Sequence, residues 1–472
     1  MAARYLAVCW PNDPALEARA RHVVETAQSI GLAVAFRSPR LVVLTAPDQK
    51  AMTIGKGGGL VLGAVFQRNG PPGVIEMLDT ETSDRIVQTG GQSLIDEFWG
   101  GYLAFVHEAD GGAVHILRDP TGGTPCFLAK QGALFYVFSD AELAVDAGLV
   151  DGRIDWSFVA HHLAYPSLRT ARTGIVGVNE LVAGTRLSLG RAGESHACCW
   201  TPWTFASPDR RCEVQAEAVE RLGVEVRRCV GAWASRSSSI LLELSGGLDS
   251  SILAACLSQA QAQIHCLTVA TPHLGADERA YAQGVADRIG RPLTVATLDV
   301  GAADVTQAWP ARLARPGLNV LQRALDQAVV GVGREVGADG FFSGAGGDSV
   351  FCYLDTAAPA ADAWRAKGPG RAFARSVGDL ATMHQCTVWR AGRLALRKAY
   401  SALPTAWRAE RLFLSDEAIA PQPETHPWLS GPPDALPGAR AQIASIMGLQ
   451  STSDGNARAT LGSVRHPLLS QP

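Results

Sequence analysis

Residues 239–257 read Ser-Ile-Leu-Leu-Glu-Leu-Ser-Gly-Gly-Leu-Asp-Ser-Ser-Ile-Leu-Ala-Ala-Cys-Leu. The apolar run Ile240-Leu241-Leu242 predicts a buried strand, and Ile252, Leu253, Cys256 and Leu257 recur at helical spacing. Gly246-Gly247 therefore sits at a strand-to-helix turn, which suits phosphate. The glycines let the backbone approach an anion closely, and Ser245, Ser250 and Ser251 offer hydroxyl donors. The helix start adds unpaired N–H groups and a positive dipole end. Asp249 is the odd member, because a carboxylate repels phosphate unless a hard cation such as Mg²⁺ lies between them. The stretch thus predicts a metal-bound nucleotide. No G-x-x-x-x-G-K-[ST] occurs, so it is not a Walker loop.

Outward from this turn, strands and helices alternate. Cys212 to Ser235 reads as a helix, Ile240 to Leu244 and Ile264 to Val269 as strands, Asp277 to Ile289 as a helix and Leu293 to Leu298 as a third strand. Leu321, Leu325, Val329, Val332 and Val336 mark one face of a further helix. Such alternation predicts an α/β unit with a parallel sheet, whose ligands gather at the carboxyl ends of the strands. After Phe341-Phe342 comes a second loop of the same logic, Ser343-Gly344-Ala345-Gly346-Gly347-Asp348-Ser349. Together the two loops are expected to hold ATP from opposite sides, with Asp249 and Asp348 sharing Mg²⁺. Asp277 and Glu278 are read first as stabilising the start of their helix, with a substrate or nucleotide role as the lesser alternative, and the lone histidines His384 and His466 as structural rather than proton carriers.

Residues 1 to about 205 differ in texture. Leu41–Thr45, Gly59–Phe66, Gly101–Val106, Ala113–Leu117 and Ala133–Phe138 are short apolar runs bounded by turn residues, which predict a mainly antiparallel sheet. Ala15 to Ile30 and Asp140 to Ala147 read as helices, and the glycine-rich run 55–59, with Lys56, as a hairpin connection. Thr201 to Arg210 reads as a linker, and residues from about 355 to 440 as helices and loops over the ATP site.

Lys plus Arg number 42 and Asp plus Glu 45, a net charge of −3, so no overall field recruits nucleic acid. No apolar run reaches spanning length and the first residues lack a signal-peptide core, so a cytoplasmic protein without a membrane partner is expected. The ten cysteines form no C-x-x-C pair and are expected to be mostly reduced and buried.

The loop at 245 resembles the pyrophosphate loop of ATP pyrophosphatases, most closely the asparagine synthetase branch. On that resemblance Trp99–Phe105, Arg118–Pro125, Phe138–Leu143 and Thr173–Thr185 look like the family's glutaminase domain in order. The implied organisation is an Ntn-hydrolase (glutaminase)-like domain at 1–205, then an ATP-pyrophosphatase domain at 211–472. The resemblance further implies that Asp249 and Asp348 bind the metal. It places Leu244, Val269, Ser343 and Gly344 against adenosine, and Ser245, Gly247 and Ser250 against pyrophosphate; Gly246, Ser251, Gly346 and Gly347 complete the two loops.

The chain also departs from that family. A working glutaminase of this type needs a cysteine at the mature N-terminus, whereas this sequence begins Met1-Ala2-Ala3-Arg4 and its nearest thiol is Cys9. An inactive glutaminase-like domain is therefore expected. Ala345 stands where asparagine synthetase has Glu and β-lactam synthetase has Tyr. Val464–Ser470 resembles the family's R-x-P-[FL]-L-D stretch with serine in place of the aspartate, and the sequence stops at Pro472. A C-terminally shortened chain is expected on that account, because the family's lysine beside the acyl-adenylate has no counterpart.

The whole pattern, including Ser343–Cys352 and His466–Pro472, looks most like the cyclases that close lasso peptides. That resemblance implies adenylation of an Asp or Glu side chain in a precursor peptide and attack by the peptide's own N-terminal amine. It also implies a leader peptidase and a leader-binding protein as partners. A β-lactam synthetase-like or asparagine synthetase-like ligase on a small amino acid remains open, as does a nucleotide- or peptide-binding chain without turnover.

Overall fold

Two antiparallel sheets of six strands each account for the apolar runs of the first two hundred residues. The computed structural model describes residues 4–472 except 12, 56, 109–111, 192, 213, 272–276, 300, 302, 305, 307–312, 318–319, 352–355, 401–406, 408, 413, 420–423 and 452–454. Lys56 and Cys352 thus lie outside the described residues.

The strands are β1 (Tyr5–Cys9), β2 (Ala33–Ser38), β3 (Leu41–Thr45), β4 (Ala51–Ile54), β5 (Gly59–Gln67), β6 (Phe98–His107), β7 (Val114–Arg118), β8 (Phe127–Gln131), β9 (Leu134–Phe138), β10 (Val178–Glu180), β11 (Thr185–Gly190) and β12 (Gly193–Cys198). One sheet runs β10-β8-β9-β1-β3-β2 and the other β12-β11-β7-β6-β5-β4. β1 shows why the sheets must stack, since all five of its residues are buried. Tyr5, Ala7 and Cys9 pack against Leu60, Leu62, Leu103 and Phe105 of the other sheet. Leu6 and Val8 face away, onto the helices α1 (Pro14–Ser29) and, further along the chain, Ala141–Asp146. On the outer side of the second sheet α2 (Thr80–Gln88) and α3 (Gln92–Glu97) cover Val61, Val65, Tyr102 and Ala104. The result is a helix–sheet–sheet–helix sandwich, built on the antiparallel pairing that the sequence predicts.

The helices Ala141–Asp146 (α4) and Trp156–Ala164 (α5) complete this part. β4 and β5 pair antiparallel with Ile54 opposite Gly59, so the described glycines Gly55, Gly57 and Gly58 lie in a hairpin connection, as the composition predicts. Cys9 pairs with Leu41 and Phe135 inside the sheet, and burial pushes its thiol up to about 12, so as placed it is no nucleophile at neutral pH.

Beyond residue 214 the architecture changes to a parallel sheet. Its elements are α6 (Gln215–Ala234), β13 (Ser239–Glu243), α7 (Leu248–Leu257), β14 (Gln263–Ala270), α8 (Arg279–Ile289), β15 (Leu293–Thr297), α9 (Val320–Glu335), β16 (Gly340–Phe342) and α10 (Gly347–Val350). The helices α11 (Ala358–Lys367), α12 (Arg371–Met383), α13 (Val388–Tyr400) and α14 (Pro437–Gly448) follow, and the last strand is β17 (Ser463–Arg465). The strand order is β15-β14-β13-β16-β17, and each neighbouring pair is parallel. The chain steps outward from β13 to β14 and β15, then returns to the other side of β13 as β16. The reversal lies between β13 and β16, where the connections leave in opposite directions and open a crevice at the strand ends.

Three contacts tie the sandwich to the parallel sheet. Trp233 of α6 meets Phe66 edge-on at 4.9 Å and Trp99 at 6.0 Å, while the Arg465 guanidinium stacks on Trp233 at 4.3 Å. Trp203 donates its indole N–H to the carbonyl of Trp428 at 2.8 Å, so the stretch expected to be a linker is packed down rather than free. The fully buried Glu180 carboxylate receives Arg118 at 2.6 Å, Arg169 at 2.7 Å and Arg315 at 2.8 Å. Burial pushes that carboxyl up, but the three guanidiniums outweigh it and hold the group far below its ordinary range.

Helices α11, α12 and α13 pack mainly on one another through Ala360, Val377, Leu380, Ala391 and Ala395. None of their described residues lines the cavity considered next.

Candidate functional site

The two loops singled out by composition lie side by side because β13 and β16 are paired, with Leu242 opposite Phe342. β13 ends at Glu243, two residues before Ser245, and β16 at Phe342, immediately before Ser343. A cavity of about 880 Å³ opens between them. Of the expected nucleotide residues, Leu244, Ser245, Gly247, Asp249, Ser250, Val269, Ser343, Gly344, Gly347 and Asp348 line it. Gly246, Ser251 and Gly346 do not. Glu243, Thr268, Thr271, Glu278, Leu298, Leu321, Gln322, Leu325, Ala345 and Phe351 are among the further lining residues.

The glycines that do not line the cavity shape it from behind. Gly246 has φ +79° and its Cα meets the backbone of Tyr281 and Ala282, so only a residue without Cβ fits between the loop and α8. Gly346 has φ +94° and its Cα rests against the Leu469 side chain. The first loop is closed by its own serines: Ser245 Oγ and Ser250 Oγ are 3.0 Å apart, and Gly247 N–H donates to Ser245 Oγ at 3.2 Å.

The loops also touch each other. A β-carbon on Gly344 would stand 3.0 Å from Asp249 Cβ and 2.9 Å from Ser250 N. The Asp249 carboxylate accepts the Asp348 backbone N–H, and its pKa is raised first by burial and then by the nearby Asp348 carboxylate. Two like charges held this close favour a cation between them.

The rest of the lining is acidic as well. The whole of it contains Glu243, Asp249, Glu278 and Asp348 and, among the described residues, no Lys, Arg or His. A polyphosphate entering such a cavity needs its charge neutralised by an accompanying cation. Among the described residues no group of three or more His, Cys, Asp or Glu is arranged to hold a metal. A cation between Asp249 and Asp348 would draw its remaining ligands from phosphates and water. The residues present therefore fit Mg²⁺ brought in with a nucleotide.

Glu243 went unnoticed in the sequence because it ends an apolar strand. Its carboxylate is paired with Arg458, which also binds Asp326 of α9. His466 was read as structural, yet its Nδ1 lies 2.9 Å from Ser343 Oγ, on the edge of the cavity. The only signal was its position one residue after a strand too short to show a period. Glu278 reaches the cavity wall without capping α8, whereas Asp277 turns back to accept the Arg279 N–H at 3.1 Å. His384 follows α12 as its C-terminal cap and takes no part in the lining.

Residues 225–452 match the sequence profile of the asparagine synthase family. This span contains both loops and the strands that carry them, and residues 225–452 are the part of the chain identified as an asparagine synthase domain. No curated protein matches the chain. Among solved structures, glutamine phosphoribosylpyrophosphate amidotransferase from B. subtilis, complexed with ADP and GMP, is similar at 9% identity over 65% of this chain and 69% of that one, with a TM-score of 0.26. An allosteric regulatory enzyme of purine biosynthesis is similar at 9% identity over 72% and 89%, with a TM-score of 0.27. Glutamine-dependent NAD⁺ synthetase from Acinetobacter baumannii, in complex with ADP, is similar at 16% over 42% and 41%, with a TM-score of 0.22. No helix among the described residues is long and apolar enough to cross a membrane.

Proposed function

We propose that the chain is an ATP-dependent carbon–nitrogen ligase that activates a carboxylate as its adenylate, and specifically a macrolactam-forming cyclase acting on a lasso precursor peptide. The observation that carries the ligase reading is the adjacency of the Ser-Gly-Gly and Ser-Gly-Ala-Gly-Gly-Asp loops at the sheet's reversal point, with Asp249 and Asp348 on one acidic cavity. The asparagine synthase match over 225–452 supports it.

In this reading a substrate carboxylate oxygen attacks the α-phosphorus of ATP, forming an acyl–O–P bond as the bond to pyrophosphate breaks. An amine then attacks the acyl carbon; a C–N bond forms, the C–O bond to AMP breaks and the amine proton passes to solvent. Asp249 and Asp348 hold Mg²⁺, which when bound neutralises the phosphates and eases departure of pyrophosphate. Ser245, Gly247 and Ser250 orient the phosphate end, and Leu244 and Val269 frame the nucleoside. The cavity volume lies toward the top of the range of about 300–1,000 Å³ usual for small-molecule sites, leaving room for a substrate side chain beside the nucleotide.

The finer assignment rests on the buried, strand-held Cys9, which offers no glutamine-derived ammonia as placed, so the amine is supplied by the substrate itself. In this reading the domain at 1–205 is an inactive glutaminase-like scaffold, and a leader peptidase and leader-binding protein prepare the peptide. The test is to incubate the purified chain with MgATP and a leader-free peptide bearing a ring-position Asp or Glu. AMP, pyrophosphate and a product lighter by one water are expected. AMP formation with asparagine or a β-lactam as the product, and no cyclised peptide, would move the assignment to a small-molecule ligase.

A further inference from the structure

His466 stands immediately after β17, and its ring contacts the cavity through a single side chain. Nδ1 lies 2.9 Å from Ser343 Oγ, and Nε2 is buried without a hydrogen-bond partner among the described residues. The tautomer follows from that asymmetry. An unpaired N–H in a buried position is rarer and costlier than an unpaired acceptor lone pair. The proton therefore sits on Nδ1, and Nδ1–H donates to Ser343 Oγ.

This settles what Ser343 can do. A serine hydroxyl has one proton and two acceptor sites. Ser343 Oγ accepts from His466 Nδ1–H and, at 3.4 Å, from the Ala345 backbone N–H. Both lone pairs are taken, and no acceptor for its proton exists among the described residues. Because Ser343 lines the cavity, its O–H is left to donate into it. A serine whose histidine carried the proton on the other nitrogen would instead spend its O–H on the ring and present only a lone pair.

We infer that His466 is a positioning residue that fixes Ser343 as a hydrogen-bond donor to an acceptor atom of the bound nucleoside. The inference rests on the nucleotide reading of the cavity and goes beyond it by assigning direction to one contact. The nucleoside end is specified because Ser343 opens the second loop at the strand end, while the carboxylates that accompany phosphate, Asp249 and Asp348, come from the first turns of α7 and α10.

The experiment measures ATP and AMP binding by calorimetry with the full chain, for wild type, His466→Leu, His466→Asn, Ser343→Ala and the double variant His466→Leu/Ser343→Ala. Asparagine places an N–H donor near the Nδ1 position, and leucine removes it. His466→Leu and Ser343→Ala are expected each to weaken both ligands about five- to tenfold, the worth of one neutral hydrogen bond. His466→Asn should restore most of that loss, and the double variant should be no weaker than Ser343→Ala alone. A His466→Leu chain with wild-type affinity overturns the assignment, as does an equal further loss in the Ser343→Ala background or a loss seen with ATP and absent with AMP. If His466→Leu does not fold, the Asn variant and Ser343→Ala still decide: an Asn variant as weak as Ser343→Ala contradicts a donor role. A folded wild-type chain that binds neither nucleotide overturns the nucleotide reading, and this inference with it; failure confined to the His466 variants overturns the inference alone.

Discussion

The carboxylate of Asp249 lies against the Cα of Gly347, in the space that a β-carbon at that position would need. Gly347 begins α10 and its φ is not in the left-handed region, so alanine there suits the backbone and even improves helix propensity. Gly347→Ala is thus expected to leave the melting temperature unchanged or raised while forcing Asp249 out of place. Calorimetry should show MgATP bound at least about tenfold more weakly, a change of about 1.4 kcal/mol. An alanine variant with wild-type affinity would mean that Asp249 is not held for the nucleotide.

Asp348 acts on the same ligand from the other loop. In Asp348→Asn the like charge that helps raise Asp249 is removed, and with it half of the pair that makes a cation necessary. Binding of MgATP should weaken by about tenfold or more, whereas AMP, which needs no metal, should change by less than about twofold. Equal losses for both ligands would show a general disturbance of the loop instead.

Glu180 pairs with Arg118, Arg169 and Arg315, and its side chain is fully buried. Glu180→Gln removes the carboxylate that these three guanidiniums share. The cost is expected at about 3–5 kcal/mol, read as a lower urea midpoint. Arg315→Met keeps two partners on Glu180 and should cost less. A Gln variant as stable as wild type would mean that water or another group takes over the charge.

His426 is 1% exposed, and burial, opposed by Glu180 and aided by Arg169, lowers its pKa to about 4 from an ordinary 6.5. Between those values the unfolded chain carries a proton that the folded chain refuses. Stability is therefore full above about pH 6.5 and falls as pH drops toward 4, by about 3 kcal/mol for this group. His466, also pushed down to about 4 by its burial and by Arg458 and Arg465, adds a loss of the same sign. Urea midpoints at several pH values should trace this slope, and His426→Phe should flatten part of it; a flat profile in the wild type would contradict both assignments.

How much of this was legible in the residues differs from segment to segment. Ser239–Leu257 could be read because two periods meet there, a strand's apolar run and a helix's i, i+4 spacing, with glycines marking the turn. The pairing of Asp249 with Asp348 was likewise expected from the repeated loop chemistry, though their proximity depends on β13 and β16 being neighbours. β17 was not legible, since Ser463-Val464-Arg465 holds one apolar residue and three positions carry no period. β12 was missed for a related reason: as an edge strand it is exposed at nearly every position and shows no alternation. Glu180 was read only as part of the Thr173–Thr185 segment; its three arginine partners come from as far as 135 positions away, which no local pattern reports. His466 and Ser343, 123 residues apart, fall in the same category.

β16 is an inner strand only because β17 lies beside it, with Phe342 opposite Arg465, and the Ser343 N–H is satisfied by the Arg465 carbonyl at 3.2 Å. During synthesis the first loop emerges long before that partner exists. Contacts of such long separation close late in folding. The second loop accordingly matures last, and nucleotide capture becomes a signal that the sheet has been completed. A translation intermediate arrested before residue 463 should pass through an immobilised-ATP column, and one carrying the chain past residue 470 clear of the ribosome should be retained.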